Sequence, residues 1–136
     1  MTAYALAPIG FVRSSLKDRS AAPRQGFEGA PEAWIEIGEE FAEGLNGLSV
    51  GDQVVLITFF HESRRDVLML HPRGDPNLPL TGVFATRSPD RPNPLGLHRV
   101  TLHEIAGTRL RVSPLEAIDG TPLVDLKPVL AESADS

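Results

Sequence analysis

The chain has 136 residues, no cysteine, 41% hydrophobic residues and a net charge of −5. This length suits one domain with its own core, and the lack of thiols excludes a disulfide framework, a cysteine nucleophile and thiolate metal sites. An acidic total weighs against strong non-specific nucleic-acid binding, which depends on neutralising phosphates, but it leaves room for a local basic surface.

The charge is unevenly spread. Residues 1–27 carry four bases and one acid, 28–52 seven acids and no base, 53–99 six bases and four acids, and 100–136 three bases and six acids. Eleven of the thirteen bases are arginine, whose planar fork suits carboxylate or phosphate. The start, MTAYALAPIG, lacks a basic n-region, and no stretch approaches the ~20 apolar residues of a membrane span. The expectation is a soluble cytoplasmic protein with no membrane partner.

Along the chain, Tyr4 to Val12 reads as a strand bent or bulged at Gly10. Residues 15–31 have no sustained period and read as an irregular loop, with Pro23-Arg24-Gln25-Gly26 as its polar feature. Trp34 to Ile37 alternates like a short strand, while Glu36 to Leu45 also fits the start of a helix, with Ile37, Phe41 and Leu45 four apart. The acids here have no metal-ligand spacing and read as a solvated face. Gln53 to Phe60 is the most apolar run, and its β-branched and aromatic content favours a buried strand.

Val67 to His71 reads as a further short strand, followed by turns over Pro72 to Pro79. The stretch from Gly82 to Arg99, GVFATRSPDRPNPLGLHR, is the densest in polar groups held between prolines and glycines. Its spacing predicts a shaped loop, with neither a long helix nor a central strand, carrying Arg87, Arg91, Asn93, His98 and Arg99. A rigid turn with solvated arginines is the plainer alternative. Val100 to Ile105 and Arg109 to Pro114 alternate as a hairpin, Asp119-Gly120 marks a tight turn before a strand over Pro122 to Val129, and residues 131–136 read as a disordered tail. Six to eight short strands with one or two short helices predict a mainly β, antiparallel barrel or sandwich in one domain over 1–130.

The large mechanistic motifs are missing: no G-x-G-x-x-G after a strand, no P-loop and no G-x-S-x-G elbow. Arg65 stands where a zincin would need its second histidine after His61, and His61, His71, His98 and His103 show no ligand spacing, so no metal site is expected.

Several segments in one order resemble a known family. They are Pro8-Ile9-Gly10 with Val12-Arg13-Ser14, Pro23-Arg24-Gln25, Phe60-His61, Gly82 to Ser88, Arg91 to Leu97, and Asp119-Gly120-Thr121-Pro122 running into Asp125-Leu126-Lys127-Pro128. Together they resemble the TrmO family, formerly called TsaA-like. That resemblance implies a small single-sheet β-barrel, a homodimer, and S-adenosylmethionine-dependent methylation of N6 of the threonylcarbamoyl-modified adenosine in the tRNA anticodon loop. By the same resemblance Pro23, Arg24, Gln25, Phe60, His61, Glu62, Arg87 and Leu97 line the cofactor pocket, and Leu115 and Glu116 complete it through main-chain contacts. Arg91 and Arg99 are expected to grip the substrate, and Asn93 and Asp119 to orient or deprotonate the attacking nitrogen. The alternative in another class is a non-catalytic dimeric module that binds S-adenosylmethionine or a nucleotide.

Overall fold

The computed structural model describes residues 2–18 and 29–130. Eight strands follow in order: β1 (Gly10–Arg13), β2 (Ala33–Ile37), β3 (Gln53–Phe59), β4 (Met69–Leu70), β5 (Thr81–Gly82), β6 (Leu95–Ala106), β7 (Arg109–Ser113) and β8 (Pro122–Pro128). Six of them close into an antiparallel barrel in the order β1-β2-β7-β6-β3-β8, and β4 and β5 pair apart from it as a small ribbon. The single-sheet barrel is therefore the expected one, and the sandwich alternative falls away.

Alternation explains the walls. On β3, Val54, Leu56 and Thr58 point inward, and on β6 so do Gly96, His98, Val100 and Leu102, all of them buried. Val12, Ile35, Leu110, Val112, Leu115 and Leu123 fill the rest of the core. Each fully buried aliphatic side chain of this kind contributes about 1.5–3 kcal/mol. Facing outward, Phe59 opposes Leu95 and Ile57 opposes Leu97.

The N-terminal strand is shorter than predicted. It begins at Gly10 because its partner β2 ends at Ile37, where the chain turns away, and nothing remains for Tyr4 to Pro8 to pair with. Gly10 is no bulge. A Cβ there would overlap the Glu36 carbonyl, so the glycine permits close approach of two strands.

Both readings of the 34–45 stretch hold in turn: β2 runs to Ile37, and a 3-10 helix follows over Glu39–Leu45. The strand expected over Val67 to His71 reduces to two residues in the side ribbon.

The Gly82 to Arg99 stretch differs more. It opens with a 3-10 turn over Val83–Ala85, stays irregular to Pro94, and then enters β6, a twelve-residue barrel strand. The prediction of a loop through to Arg99 was wrong beyond Pro94. No proline falls within β6, and Gly96 is tolerated in the strand because the ring of Phe60 fills the space a Cβ would take. Among the described residues no helix is long and apolar enough to cross a membrane.

Candidate functional site

Antiparallel closure sorts the connections to two ends. At one end, here the turn end, lie the 3-10 helix, the β6–β7 hairpin at Gly107-Thr108 and the exit of β8. At the other, the loop end, lie residues 14–18, 29–32, 60–94 and 114–121. These loops carry most of the residues singled out in the sequence. Pro23, Arg24 and Gln25 lie outside the described residues, as does the tail at 131–136.

Backbone and side-chain bonds lock the loops together. Phe60 N–H donates to Pro94 O at 2.8 Å, and Arg91 N–H to Arg64 O at 3.0 Å. Arg64 N–H donates to Asp90 Oδ1 at 2.9 Å. The guanidinium of Arg65 donates to Pro92 O at 2.8 Å and to Asn93 Oδ1 at 2.9 Å. Asn93 is thus fixed, and its amide oxygen keeps a second lone pair.

Arg91 has a structural task that its charge did not reveal. Its Nη1 donates to Thr86 O at 2.9 Å and to Ser88 O at 3.1 Å, the carbonyls on either side of Arg87. This holds the turn from which the exposed Arg87 projects. Arg87 makes no hydrogen bond or ion pair among the described residues, which leaves its fork available to an anionic group. His61 is likewise exposed, as is Glu62 beside it.

Asp119 acts as a lock at the start of β8. Its Oδ1 accepts from Ser14 N–H at 3.0 Å, and its Oδ2 lies 3.3 Å from Lys17 Nζ. The Ser14 hydrogen bond, with help from Lys17, holds its carboxyl below the ordinary aspartate value against the opposing effect of burial. A carboxylate so held is a weaker proton acceptor. Gly120, at φ 83°, supplies the left-handed position that completes the turn.

Two singled-out residues stand apart. Leu97 lies on the outer wall of β6 with 48% of its surface exposed. Arg99 is also on the outer wall, four residues from Leu95 and so roughly 13 Å along the strand, with its guanidinium on Gln53 Oε1 at 2.6 Å. Leu115 is fully buried, and its N–H is taken by Pro31 O at 2.9 Å.

Sequence reasoning singled out His98 and Glu116 separately but missed Thr58 and the link between the three. Inside the loop end, His98 Nε2 lies 2.6 Å from Thr58 Oγ1 and His98 Nδ1 2.5 Å from Glu116 Oε1. The ring of Phe60 meets that of His98 edge-on, 5.8 Å between centroids. Thr58 and His98 occupy inward positions of strands whose other inward residues are mostly aliphatic, which is the signal that could have found them.

A groove at the turn end differs in kind. Ile9, Ile37, Phe41, Leu45 and Leu126 line it, and Glu40, Glu43 and Asp125 add negative charge without a base. Among the described residues no group of three or more histidines or carboxylates is arranged to hold a metal ion.

Comparison with known proteins gives a consistent result. Residues 11–136 match the family described as tRNA-methyltransferase O N-terminal domain. A probable S-adenosyl-L-methionine-binding protein of Methanocaldococcus jannaschii is 44% identical over 105 residues, covering 74% of this chain and 82% of its own. An S-adenosyl-L-methionine-binding protein of Archaeoglobus fulgidus is 39% identical over 122 residues, covering 90% of this chain and 86% of its own. A crystal structure of TrmO from Pseudomonas aeruginosa superposes with a TM-score of 0.78 at 30% identity, covering 99% of this chain, which in turn spans 60% of that one. The chain belongs to the TrmO family, through the domain described as the N-terminal domain of tRNA-methyltransferase O.

Proposed function

We propose that this chain binds S-adenosylmethionine at the loop end of the barrel and methylates N6 of the threonylcarbamoyl-modified adenosine beside the tRNA anticodon. The observation that carries the reading is the gathering of Phe60, His61, Arg87 and Glu116 on connections at one barrel end, in a chain of this family. The residue types suit the cofactor. Phe60 offers a ring, Arg87 an unengaged cation for a carboxylate, and Glu116 a carboxylate oxygen for a hydroxyl or ammonium. The Pro23-Arg24-Gln25 segment, Glu62, Leu97 and Leu115 belong to the same proposal, from the resemblance of their segments.

The cofactor supplies an activated methyl on a sulfonium. In the transfer a C–N bond forms at N6, the S–CH3 bond breaks with its electron pair going to sulfur, and N6 loses its proton. The protein must hold the nitrogen in line with that bond, which is the main source of rate in such a displacement. Of the two predicted acceptors, Asn93 suits the orienting role, since Arg65 fixes its amide. Asp119 serves the fold, its oxygens already engaged by Ser14 and Lys17. An unpaired anticodon-loop base approaches without the cost of opening a duplex, and the arginines of residues 60–94 lie at the same end as the proposed pocket. Arg99, on the outer wall, would contact only RNA that wraps the barrel.

We further infer a cytoplasmic homodimer with one domain over 1–130. The outward pairs Phe59–Leu95 and Ile57–Leu97 supply apolar surface of the kind a second copy covers. The test is transfer of labelled methyl from S-adenosylmethionine to tRNA with and without the threonylcarbamoyl group. Transfer only to the modified tRNA, abolished in Arg87→Ala together with cofactor binding, is the expected result. Cofactor binding without transfer to any tRNA would favour the non-catalytic binding module.

A further inference from the structure

We infer that Thr58, His98 and Glu116 form a positioning relay that fixes one acceptor oxygen, Glu116 Oε2, for an O–H or N–H donor of the bound cofactor. This role rests on the reading that the loop end binds S-adenosylmethionine. Thr58 and His98 stand on barrel strands, and Glu116 reaches them from the 114–121 connection. Thr58 is fully buried, and the side chain of His98 is 1% exposed and that of Glu116 11% exposed.

The hydrogen bonds determine the proton arrangement. A carboxylate only accepts, so Nδ1 of His98 carries the proton that reaches Glu116 Oε1. Nε2 then accepts from the hydroxyl of Thr58, so the hydroxyl, both ring nitrogens and Glu116 Oε1 are all paired with one proton on the ring. Either other ring state leaves a proton without an acceptor or an acceptor without a proton. Phe60 covers the ring edge-on, and Gly96 makes room for Phe60, so the imidazole can neither flip nor exchange with water easily.

This leaves Glu116 with two unlike oxygens. Oε1 is held by His98. Oε2 has no partner among the described residues, and the Glu116 side chain keeps 11% of its surface exposed. A carboxylate sealed on one side and open on the other is a built acceptor. Its direction is set by two residues that never touch the ligand. The same geometry makes an amide a poor substitute: Gln at 116 can satisfy His98 only through its oxygen, and so turns its NH2 toward a ligand donor.

The experiment combines calorimetric titration with nitrogen-correlated NMR of the imidazole. Wild-type protein is expected to show His98 protonated at Nδ1 alone. Glu116→Gln is expected to melt near the wild type and to bind S-adenosylmethionine about tenfold or more weakly. Thr58→Val should lose the single tautomer and part of the affinity, and Thr58→Ser should restore both.

Titration with methylthioadenosine, which keeps the ribose and lacks the ammonium, identifies the donor. An equal loss in Glu116→Gln assigns a donor of the adenosine half, a ribose hydroxyl or the adenine amine, and a loss confined to S-adenosylmethionine assigns the ammonium. Wild-type protein that binds no cofactor would sink the cofactor reading and this role with it. A binding wild type matched by Glu116→Gln, or a ring protonated at Nε2 alone, would overturn the relay and leave the cofactor reading standing.

Discussion

The two ends of the barrel are closed by different means. At the turn end two residues join β6 to β7, and the 3-10 helix of residues 39–45 leads into a turn that packs Leu45 and Leu48 against the core. At the loop end residues 14–18, 29–32, 60–94 and 114–121 are held largely by polar locks: Arg65 on Asn93, Arg91 on the carbonyls around Arg87, Asp119 on Ser14, and Glu116 on His98. Apolar capping needs only volume and tolerates substitution, whereas a polar lock specifies where each atom stands. The second is what a site requires. Charge follows the same division: residues 38–52 carry four acids and no base, while 60–94 carry five arginines against four acids.

Gly96→Ala should have the largest effect. It drives a Cβ into the Phe60 ring and beside His98, so a loss of about 1–3 kcal/mol in urea unfolding is expected, together with weaker cofactor binding. Stability lost with binding untouched would show that the two ends are not distinct in this way. Leu48→Ala, at the other end, should cost about 1–2 kcal/mol, less than at a fully buried site because Leu48 is only half-buried. Its cofactor affinity should equal the wild type, and a parallel fall in affinity would count against the separation.

Asp119→Asn should have the smallest effect, a loss of stability at neutral pH that disappears in acid. A carboxyl whose native pKa is lowered binds fewer protons folded than unfolded, so it stabilises the fold at higher pH. The contribution is fully present above the ordinary aspartate value of about 3.9 and is lost as pH falls through the lowered native one. Urea melts from pH 6 to about pH 2 should therefore fall more steeply in wild type than in the variant. Identical slopes would mean that the Ser14 bond does not form in solution.

How far the sequence foretells each end follows from the same physics. Strands β2, β3, β7 and β8 are legible because burial imposes a two-residue alternation on any wall. The tasks of Gly10 and Gly96 are not, because each glycine is required by a neighbour distant in sequence, the Glu36 carbonyl in one case and Phe60 in the other. The start of β6 was hidden by Pro92 and Pro94, which end an irregular segment immediately before a strand. Arg87 and Arg91 are alike in sequence, and only the carbonyls that Arg91 holds separate an arginine engaged in the scaffold from an unengaged one. Thr58 and His98 were legible in principle as polar residues at inward positions, but their link to Glu116 depends on how the 114–121 loop folds back over the barrel.

The most direct test of the two-ended account is amide NMR of the whole chain titrated with S-adenosylmethionine. The account predicts shifts at Phe60, His61, Arg87 and Leu115 through Ala117, and none at Phe41, Leu45 or Gly107. Shifts concentrated on the acidic groove of Ile9, Phe41, Leu45 and Leu126 would place the cofactor at the wrong end and contradict it.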